Sequence, residues 1–446
     1  MRSDSRVGGV RKLSPRAVCL ASTACASIGV VVGVGVSGSA QAGGPPPCGY
    51  EVEYYVAPEC GIFETLSYGL GVNEAGAVVG YIDGCPDSNQ FKAFVWWPDG
   101  TVEVISLPWS WAERAVDINN FNEVALGVNL AMPGLANVPA LWANGEVVQI
   151  FEIPEWANNA FVAGINDSGV IVGEYGDTVL GPHPLAATWS VQEGLVDLSE
   201  PFPVERQRPV GINNDGIIAG FWFGDTVPPP GEDLRRAFSL ADGKVTNLGI
   251  VPGSVNSNAR GLSDAGHVIG EGFAGPLPFD KPRTGFVWQD GKFTLLPPLP
   301  LDGHDQAQPR SINSSGLIVG RSIASGGGAP NRPALWFDGE RVDLNSVVAN
   351  LGAGENVHNP VAISESGIIT GTGTHQSSAR AFRLRPRPTL TADFDNDCEV
   401  SSSDLGILLR AWGPVVPRLV GNAADINQDG MVDGADLGVL LSEWTG

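Results

Sequence analysis

Basic residues and histidine are scarce in this 446-residue chain. Lys and Arg total 26 against 49 Asp and Glu, which gives a formal net charge of −23. A surface with this balance repels nucleic acid and anionic lipid, so we expect neither as a partner. The five histidines are scattered, with no His-Glu-x-x-His metal spacing, and no nucleophile-elbow motif occurs. The sequence therefore nominates no catalytic residues.

One pair of residues is a candidate for catalysis. His267 and Glu271 lie four residues apart, so they could act together as acid and base, and the other repeats described below lack the histidine. The simpler interpretation places both on the surface of a sheet. A glycosidase would instead need two carboxylates facing each other across a sugar. With so many acids, the sequence does not nominate that pair.

Charged residues are also few, at 17%, while glycine (59) and proline (34) are plentiful. This composition is typical of many short strands joined by turns, so we predict a mainly β fold. The 43% hydrophobic content is enough for one large core or two smaller ones. After the N-terminal segment, no apolar run is long enough to span a membrane.

The N-terminus has the pattern of a secretory signal. Five basic residues precede an apolar run from Ala17 to Val36, which ends in the small-residue sequence SGSAQAGG. We predict a signal peptide over residues 1–42 and therefore a secreted protein, extracellular or on the cell envelope surface. An uncleaved anchor is the alternative, because the apolar run is about 20 residues long.

Six cysteines are present, and two of them, Cys19 and Cys25, belong to the predicted signal. Export favours a disulfide among the remaining four. Four cysteines allow three pairings, and the sequence does not choose between them. The four are Cys48, Cys60, Cys85 and Cys398.

One ten-residue pattern occurs seven times at intervals of 46 to 51 residues, which is the period of a four-stranded propeller blade. A phosphate-binding glycine loop would occur once per site, so these glycines are expected to shape the backbone. The copies are GVNEAGAVVG (71), DINNFNEVAL (117), GINDSGVIVG (164), GINNDGIIAG (211), GLSDAGHVIG (261), SINSSGLIVG (311) and AISESGIITG (362).

Each copy predicts a β-hairpin whose sixth residue has positive φ. Glycine occupies that position except in the second copy, where Asn122 is the next most tolerant residue. The final glycine falls inside the second strand, where it predicts close packing between neighbouring blades. A second hairpin follows in each repeat, usually closed by Asp-Gly or Asn-Gly, as in AFVWWPDG (93) and PALWFDG (333). Each repeat thus holds four strands.

The seventh repeat ends after its third strand, near Leu384, while the segment YEVEYYVA at 50–57 predicts a strand without a blade. Pairing that strand with the last blade would close the ring and remove open sheet edges. We therefore predict a closed seven-bladed β-propeller of four-stranded blades over residues 43–384.

These repeats resemble the extracellular HAF repeats, with their Ile-Asn-x-x-Gly-x-Val-x-Gly and Ala-Phe-x-Trp-x-Asp-Gly segments. The resemblance covers roughly residues 50–385 and is specific because it recurs. It implies a secreted protein and carries over no catalytic residues.

Two acidic segments, DFDNDCEVSSSDLGILLRAW (393–412) and DINQDGMVDGADLGVLLSEW (425–444), match at an offset of 32 residues. Each places oxygen donors at positions 1, 3, 5 and 12 and a backbone carbonyl at position 7, the spacing that wraps a calcium ion. The candidate ligands are Asp393, Asp395, Asp397, Glu399 and Asp404 in the first loop, and Asp425, Asn427, Asp429, Met431 and Asp436 in the second.

Apolar residues follow each loop with helical spacing, at Leu405, Leu408, Leu409 and Trp412 and again 32 residues later. Two short amphipathic helices are therefore expected to pack on each other. Because clustered acids repel one another, we expect two Ca²⁺ ions to be required for this unit to fold. The alternative is a solvated acidic loop that binds no metal.

This pair resembles a dockerin, in which each loop leads directly into one helix and position 12 is Asp. The resemblance covers about 393–446, after a linker at 385–392. It implies a calcium-folded unit that binds a cohesin-like or cell-surface protein, with contacts near Ser402 and Ser403 or Gly434 and Ala435. Cys398 departs from the glycine expected at the sharp turn, which Gly430 supplies in the second loop, so the first site is expected to bind more weakly.

We favour a secreted, non-enzymatic protein in which the propeller is a binding platform attached through the calcium unit. The alternative is a carbohydrate-active enzyme or accessory component of polysaccharide catabolism, since dockerins commonly accompany such modules. A glycan is then a possible ligand of the propeller. In a third interpretation, the calcium unit only stabilises the end of the chain.

Overall fold

The structure is a computed structural model. It describes residues 49–58, 65–83, 91–108, 110–130, 137–177, 184–202, 206–223, 235–275, 283–326, 329–387, 390–395, 398–415 and 423–445. The predicted signal peptide at 1–42 and three of the cysteines, Cys48, Cys60 and Cys85, lie outside these ranges.

Seven four-stranded antiparallel sheets form the blades of a propeller, as predicted. In blades 1 to 6, each sheet contains four consecutive strands in chain order. The strands of blades 1 to 3 are β2 (Leu66–Val72), β3 (Val78–Asp83), β4 (Lys92–Trp96) and β5 (Val102–Ile105); β6 (Ser110–Ile118), β7 (Val124–Leu130), β8 (Val138–Ala143) and β9 (Glu146–Ile150); and β10 (Asn159–Ile165), β11 (Ile171–Gly176), β12 (Leu185–Ser190) and β13 (Gly194–Asp197).

The next three blades have the same construction. Their strands are β14 (Gln207–Ile212), β15 (Ile218–Trp222), β16 (Arg236–Ala241) and β17 (Lys244–Gly249); β18 (Asn258–Leu262), β19 (Val268–Phe273), β20 (Arg283–Gln289) and β21 (Lys292–Leu296); and β22 (Gln306–Ile312), β23 (Ile318–Ile323), β24 (Arg332–Phe337) and β25 (Glu340–Asp343). A short 3-10 helix, Leu344–Val347, leads into the last blade.

The seventh blade joins the two ends of the propeller segment. It contains β26 (Asn356–Ile363), β27 (Ile369–His375), β28 (Ser378–Pro386) and, as its fourth strand, the N-terminal β1 (Tyr50–Tyr55). β1 is antiparallel to β28, with Tyr50 opposite Pro386 and Tyr55 opposite Ala381. The predicted closure by an N-terminal strand is confirmed.

The first two strands of every blade are joined by the repeated turn, and its sixth residue has positive φ as predicted. Gly169 has φ 72° and Asn122, the one exception to glycine, has φ 62°. The backbone conformation therefore explains this residue, because Asn is the side chain that tolerates the left-handed region best.

The final glycine of the pattern has a different role from the predicted one. A β-bulge interrupts the first strand of every blade. In six blades a glycine on the second strand lies opposite it, as Gly80 does opposite Gly69, while Leu126 takes this place in blade 2. A Cβ on Gly80 would overlap the carbonyl oxygen of Tyr68, which belongs to the same blade. The prediction of close packing between neighbouring blades is wrong here, because the nearest atoms belong to the same sheet.

A glycine pair tests this close approach. We expect Gly80→Ala to lower the free energy of unfolding by about 2 kcal/mol, because the added methyl group must displace a backbone carbonyl. Gly127→Ala is the matched control, since no atom of the described residues lies within 4 Å of its added Cβ. Urea unfolding followed by tryptophan fluorescence measures both. Equal midpoints for the two variants would contradict this explanation of Gly80.

The repeated turns are linked into a closed ring of hydrogen bonds, here called the turn ring. In each turn, the residue after the Asn or Ser that ends the first strand accepts a backbone N–H from the preceding blade. Asn120 Oδ1 accepts from Glu74 N at 3.0 Å, and Asp167 Oδ1 accepts from Asn120 N at 2.9 Å. The ring closes where Ser366 N of blade 7 donates to Glu74 Oε2 of blade 1 at 2.8 Å.

Arg383 on β28 ties the closing blade to the first one. Its side chain is 1% exposed and donates to the carbonyl oxygens of Gly76 (2.8 Å) and Trp97 (3.0 Å) in blade 1. It also pairs with Glu53 of β1 and lies over the Trp96 ring at 4.2 Å. One buried guanidinium therefore contacts the first blade, the last blade and the closing strand.

The C-terminal segment contains two nine-residue helices, α1 (Ser402–Arg410) and α2 (Gly434–Ser442). Between them, two-residue strands β29 (Gly413–Pro414) and β30 (Met431–Val432) pair antiparallel. Six buried residues form the core: Ala392, Val400, Leu408, Ala424, Val432 and Leu440. In the described part of the chain, neither helix nor any other has both the length and the apolar character needed to cross a membrane.

Candidate metal centres and partner surface

The first acidic loop brings three carboxylates together. Ligand oxygens of Asp393, Asp395 and Asp404 lie within 4.8 Å of one another. Asp397 falls outside the described residues. The donors are all hard oxygen atoms, which suits Ca²⁺ and not a metal that prefers nitrogen or sulfur.

Asp404 and Asp436, at position 12 of their loops, are fully buried. Asp404 accepts backbone N–H groups from Phe394 (2.7 Å) and Ser401 (2.9 Å). Burial acts to raise the pKa of Asp404, but these hydrogen bonds outweigh it and hold the pKa below its ordinary value. The carboxylate is therefore kept ionised, as a calcium ligand must be.

The second loop repeats this arrangement. Asp436 accepts N–H groups from Ile426 (2.8 Å) and Asp433 (2.9 Å). Asp425 accepts from Asp429 N (3.1 Å) and Gly430 N (3.0 Å), which folds the loop around its own first carboxylate. Asn427 adds an amide oxygen at position 3, so the second loop carries one acid fewer than the first among positions 1, 3, 5 and 12.

Position 9 of each loop has a role that the sequence interpretation missed. Ser401 and Asp433 are the N-caps of α1 and α2, and each forms a capping box with the position 12 aspartate. Ser-x-x-Asp and Asp-x-x-Asp before an apolar run are the sequence signals for this motif. The capping box fixes each position 12 carboxylate at the start of its helix, where the helix dipole favours negative charge.

Cys398 occupies a backbone conformation that disfavours it. Its φ is 69°, while Gly430 at the same position of the second loop has φ 90°. Cys398 N donates to Asp393 Oδ2 at 2.9 Å, which matches the bond from Gly430 to Asp425. Among the described residues Cys398 is a free thiol.

Replacing this cysteine tests the strain. A non-glycine residue in the left-handed region costs about 1 kcal/mol or more, so Cys398→Gly should tighten calcium binding at the first loop about fivefold. Gly430→Ala should weaken the second loop by a similar factor. Calcium titration calorimetry of full-length protein measures both changes. Unchanged affinity in Cys398→Gly would show that the left-handed cysteine imposes no cost on the site.

The four residues predicted for partner binding lie on the surface of this unit. Ser402 and Ser403 form the first turn of α1, Gly434 and Ala435 form the first turn of α2, and all four are exposed. The two pairs are equivalent under the 32-residue repeat, so the unit presents two similar helix starts.

The predicted apolar face of each helix is only partly correct. Leu408 and Leu440 are buried, but Leu409 and Leu441 are 53% and 55% exposed. The helices end at Arg410 and Ser442, so the tryptophans that follow do not extend the helical face. Those tryptophans, Trp412 and Trp444, are 49% and 37% exposed. The predicted helical spacing therefore holds only as far as Arg410 and Ser442.

Residues 391–442 match the dockerin type I domain. Dockerin type I domains bind calcium and attach to cohesin partners, and proteins that carry them are typically extracellular or on the cell surface. The match covers both acidic loops and both helices, and it ends with α2 at Ser442. It does not extend to the propeller.

The propeller is similar in fold to several solved structures. The β-propeller domain of the Trilobed protease from Pyrococcus furiosus, described as having an open velcro topology, aligns with a TM-score of 0.50 and 10% identity over 71% of this chain and 95% of its own. Puromycin hydrolase gives 0.48 and 11% over 77% and 55%, and Pyrococcus horikoshii acylaminoacyl peptidase gives 0.45 and 12% over 72% and 52%. This chain thus spans about half of the latter two. At such low identity the likeness concerns the fold alone, and no curated protein matches the chain.

Proposed function

We propose that this is a secreted, non-enzymatic protein whose propeller serves as a binding platform and whose C-terminal unit attaches it to a cohesin-like or cell-surface partner. The observation that carries the proposal is the pair of capped acidic loops in residues 391–442, which match the dockerin type I domain. The HAF-like repeats and the signal-like N-terminus support secretion.

Each loop would hold one calcium ion. The side-chain donors are Asp393, Asp395, Asp397 and Asp404 in the first loop and Asp425, Asn427, Asp429 and Asp436 in the second, with the backbone carbonyls of Glu399 and Met431 at position 7. The ions would neutralise the clustered carboxylates and fix the direction of α1 and α2. The chain's own part is to orient the donors through the capping boxes and the backbone N–H groups.

The partner surface combines the two helix starts with exposed apolar side chains. Ile407, Leu409 and Leu441 are 38%, 53% and 55% exposed on helices that are only nine residues long. Leu409 and Leu441 lie at the opposite end of each helix from the small residues, and exposed leucines of this kind suit contact with a protein surface. The approximate twofold repeat provides two similar faces for one partner.

His267 and Glu271, the candidate acid–base pair of the sequence, have separate surroundings in the structure. His267 Nδ1 lies 3.0 Å from Ser263 Oγ, within its own turn. Glu271 is fully buried and is held by Arg260 and Arg283. The two side chains have different partners, so they do not form an acid–base pair.

The attachment is tested by affinity capture with the full-length protein. The bait is incubated with secreted and envelope proteins of the source organism, in calcium and in chelator. We expect a partner that is retained in calcium only and is lost with Leu409→Asp plus Leu441→Asp. A Val191→Asp bait is the control, because Val191 is equally exposed, at 52%, but lies on the propeller. Absence of any calcium-dependent partner would remove the attachment role.

A carbohydrate-active component is the second candidate, and one cleft of about 280 Å³ favours it. The cleft is lined by Phe161, Tyr175, Glu174 and Asp177, and the Trp156 ring packs on Tyr175 at 5.5 Å. Exposed aromatic rings beside carboxylates are the groups that contact sugars. Release of reducing ends from a polysaccharide, abolished by Glu174→Gln, would support this candidate over the first.

A further inference from the structure

Two arginines interrupt an apolar position of the repeat. The β-bulge in the first strand of each blade contains one extra residue. This residue is Leu70, Val116, Ala163, Val210 and Val361 in five blades, but Arg260 in blade 5 and Arg310 in blade 6. Blade geometry alone is satisfied by an apolar residue here, so the two guanidinium groups need another explanation.

Arg260 and Arg310 belong to a cluster of four arginines, completed by Arg283 on β20 and Arg321 on β23. Arg260 Nε lies 2.9 Å from Glu271 Oε1, and Arg283 Nη1 lies 3.3 Å from Glu271 Oε2. Gln308 connects the remaining two, because its Oε1 accepts from Arg310 Nη2 (3.2 Å) and Arg321 Nη2 (2.6 Å). Its Nε2 donates to Glu271 Oε2 at 3.4 Å.

The charge of this cluster is unbalanced. In the described structure, Glu271 is the one carboxylate that pairs with any of the four guanidinium groups. Two contacts between other blades are balanced, since Arg208 pairs with Glu174 at 2.9 Å and Lys92 pairs with Glu113 at 3.3 Å. At the closing blade, Arg383 and Arg385 share Glu53. The cluster of four arginines on one carboxylate exceeds both ratios, in a protein of net charge −23.

The arginines disfavour one another in the absence of a further anion. Burial, together with the charges of Arg321 and Arg260, lowers the pKa of Arg310 to about 10. Burial, with the charge of Arg283, also lowers the pKa of Arg321. Both shifts are those of positive charges held close together with too little compensation.

Within the described structure, several polar atoms in and beside the cluster have no hydrogen-bond partner. Asn258 lies directly opposite Glu271 in the sheet, so the two side chains share one face. It is fully buried, yet neither its side-chain oxygen nor its nitrogen makes a hydrogen bond within the described structure. The buried Nε atoms of Arg310 and Arg321 are likewise without an acceptor. Unpaired buried polar groups of this kind mark a place for a bound ligand or water.

We propose that this cluster is a binding site for an oxyanion: a carboxylate, sulfate or phosphate group of a small ligand. The planar forks of Arg310 and Arg321 match paired oxygens, and the Asn258 amide supplies a further donor. The side chains of Arg260 and Arg283 are 28% and 24% exposed, which leaves the cluster a path to solvent. The site gives the proposed platform a ligand class, but it does not depend on the C-terminal attachment.

The test uses full-length protein in calcium at constant ionic strength, with chloride as the reference salt. The probes are sulfate as a free oxyanion and glucuronate as an acidic sugar, with glucose as the uncharged control. We expect saturable binding of at least one oxyanion by calorimetry and none of glucose. Tighter binding of glucuronate would identify a sugar acid as the source, and tighter binding of sulfate a free oxyanion.

Variants separate a binding site from a structural network. Arg310→Met should weaken oxyanion binding at least tenfold and raise the melting temperature in chloride, because it removes a repelled charge. Arg310→Lys keeps the charge but loses the fork, and it should also weaken binding. Arg332→Met, which breaks the balanced pair with Asp343 at 2.9 Å, should leave binding unchanged. Failure of every oxyanion to bind, or a lower melting temperature in Arg310→Met, would overturn the site. Because calcium-dependent capture is measured separately, either proposal can fail without the other.

Discussion

Removing calcium from the full-length protein is expected to unfold residues 398–445 while leaving the propeller folded. Nine-residue helices are too short to persist alone in water, and only six buried residues form the core beneath them. Without the ion, the ionised and buried Asp404 and Asp436 would repel the other carboxylates of their loops, and their backbone N–H partners would offset only part of that repulsion. Hydrogen exchange with mass spectrometry in calcium and in chelator measures this directly.

The expected result is a loss of amide protection in α1 and α2, with strands β2 to β28 unchanged. Asp404→Asn and Asp436→Asn should each lower calcium affinity at their own loop by about 100-fold, since a charged ligand is lost. Glu399→Gln is the matched control in the same loop. Position 7 contributes its backbone carbonyl, so this variant should bind within about threefold of the wild type.

Retention of full protection in chelator would contradict the expectation. The twin acidic loops would then be solvated turns, and the capping boxes alone would hold the helices. If Glu399→Gln and Asp404→Asn lowered the calcium affinity equally, the ion would be held by general electrostatic attraction to the acidic loop and not by a defined set of ligands.

The parts of the fold that repeat were predictable from the sequence. Gly76 and its equivalents recur at one position of a turn, and a single substitution by Asn122 showed that backbone conformation was the constraint. The unpaired strand at 50–57 predicted the closure because seven repeats supplied only twenty-seven strands. Repetition provides internal comparison, which a single copy of a motif does not.

Features that depend on neighbouring blades were not predictable in this way. The turn ring joins residues of different types, among them Glu74, Asn120 and Ser314. Because no single residue type repeats at this position, the sequence pattern does not indicate the ring. The arginine cluster comes from four strands of two blades, and only Arg260 and Arg310 share a repeat position. The exposure of Trp412 was missed because periodicity does not say where a helix ends.

Introducing a charge into the closing strand is expected to produce the largest loss of propeller stability. Val52 on β1 is 7% exposed and lies opposite Leu384, within a core that includes Leu335, Val357 and Phe382. Val52→Asp buries a carboxylate with no cation in that core, which should cost about 3–5 kcal/mol. β1 should then detach, leaving β28 as an open edge.

Glu51→Gln is the control for this substitution, because Glu51 is the adjacent residue on the same strand and is exposed. We expect Val52→Asp to lower the melting temperature by several degrees and Glu51→Gln to leave it unchanged. Amide hydrogen exchange should rise first in β28. It should then rise in blade 1 near Gly76, which Arg383 contacts, because Glu53 on the closing strand pairs with Arg383. If Val52→Asp instead weakened all seven blades equally, the ring would be a single cooperative unit in which β1 has no special role. Loss of amide protection confined to blades 7 and 1 would establish that β1 keeps the propeller closed. This strand comes from the N-terminal end of the segment, while the other three strands of its blade come from the C-terminal end.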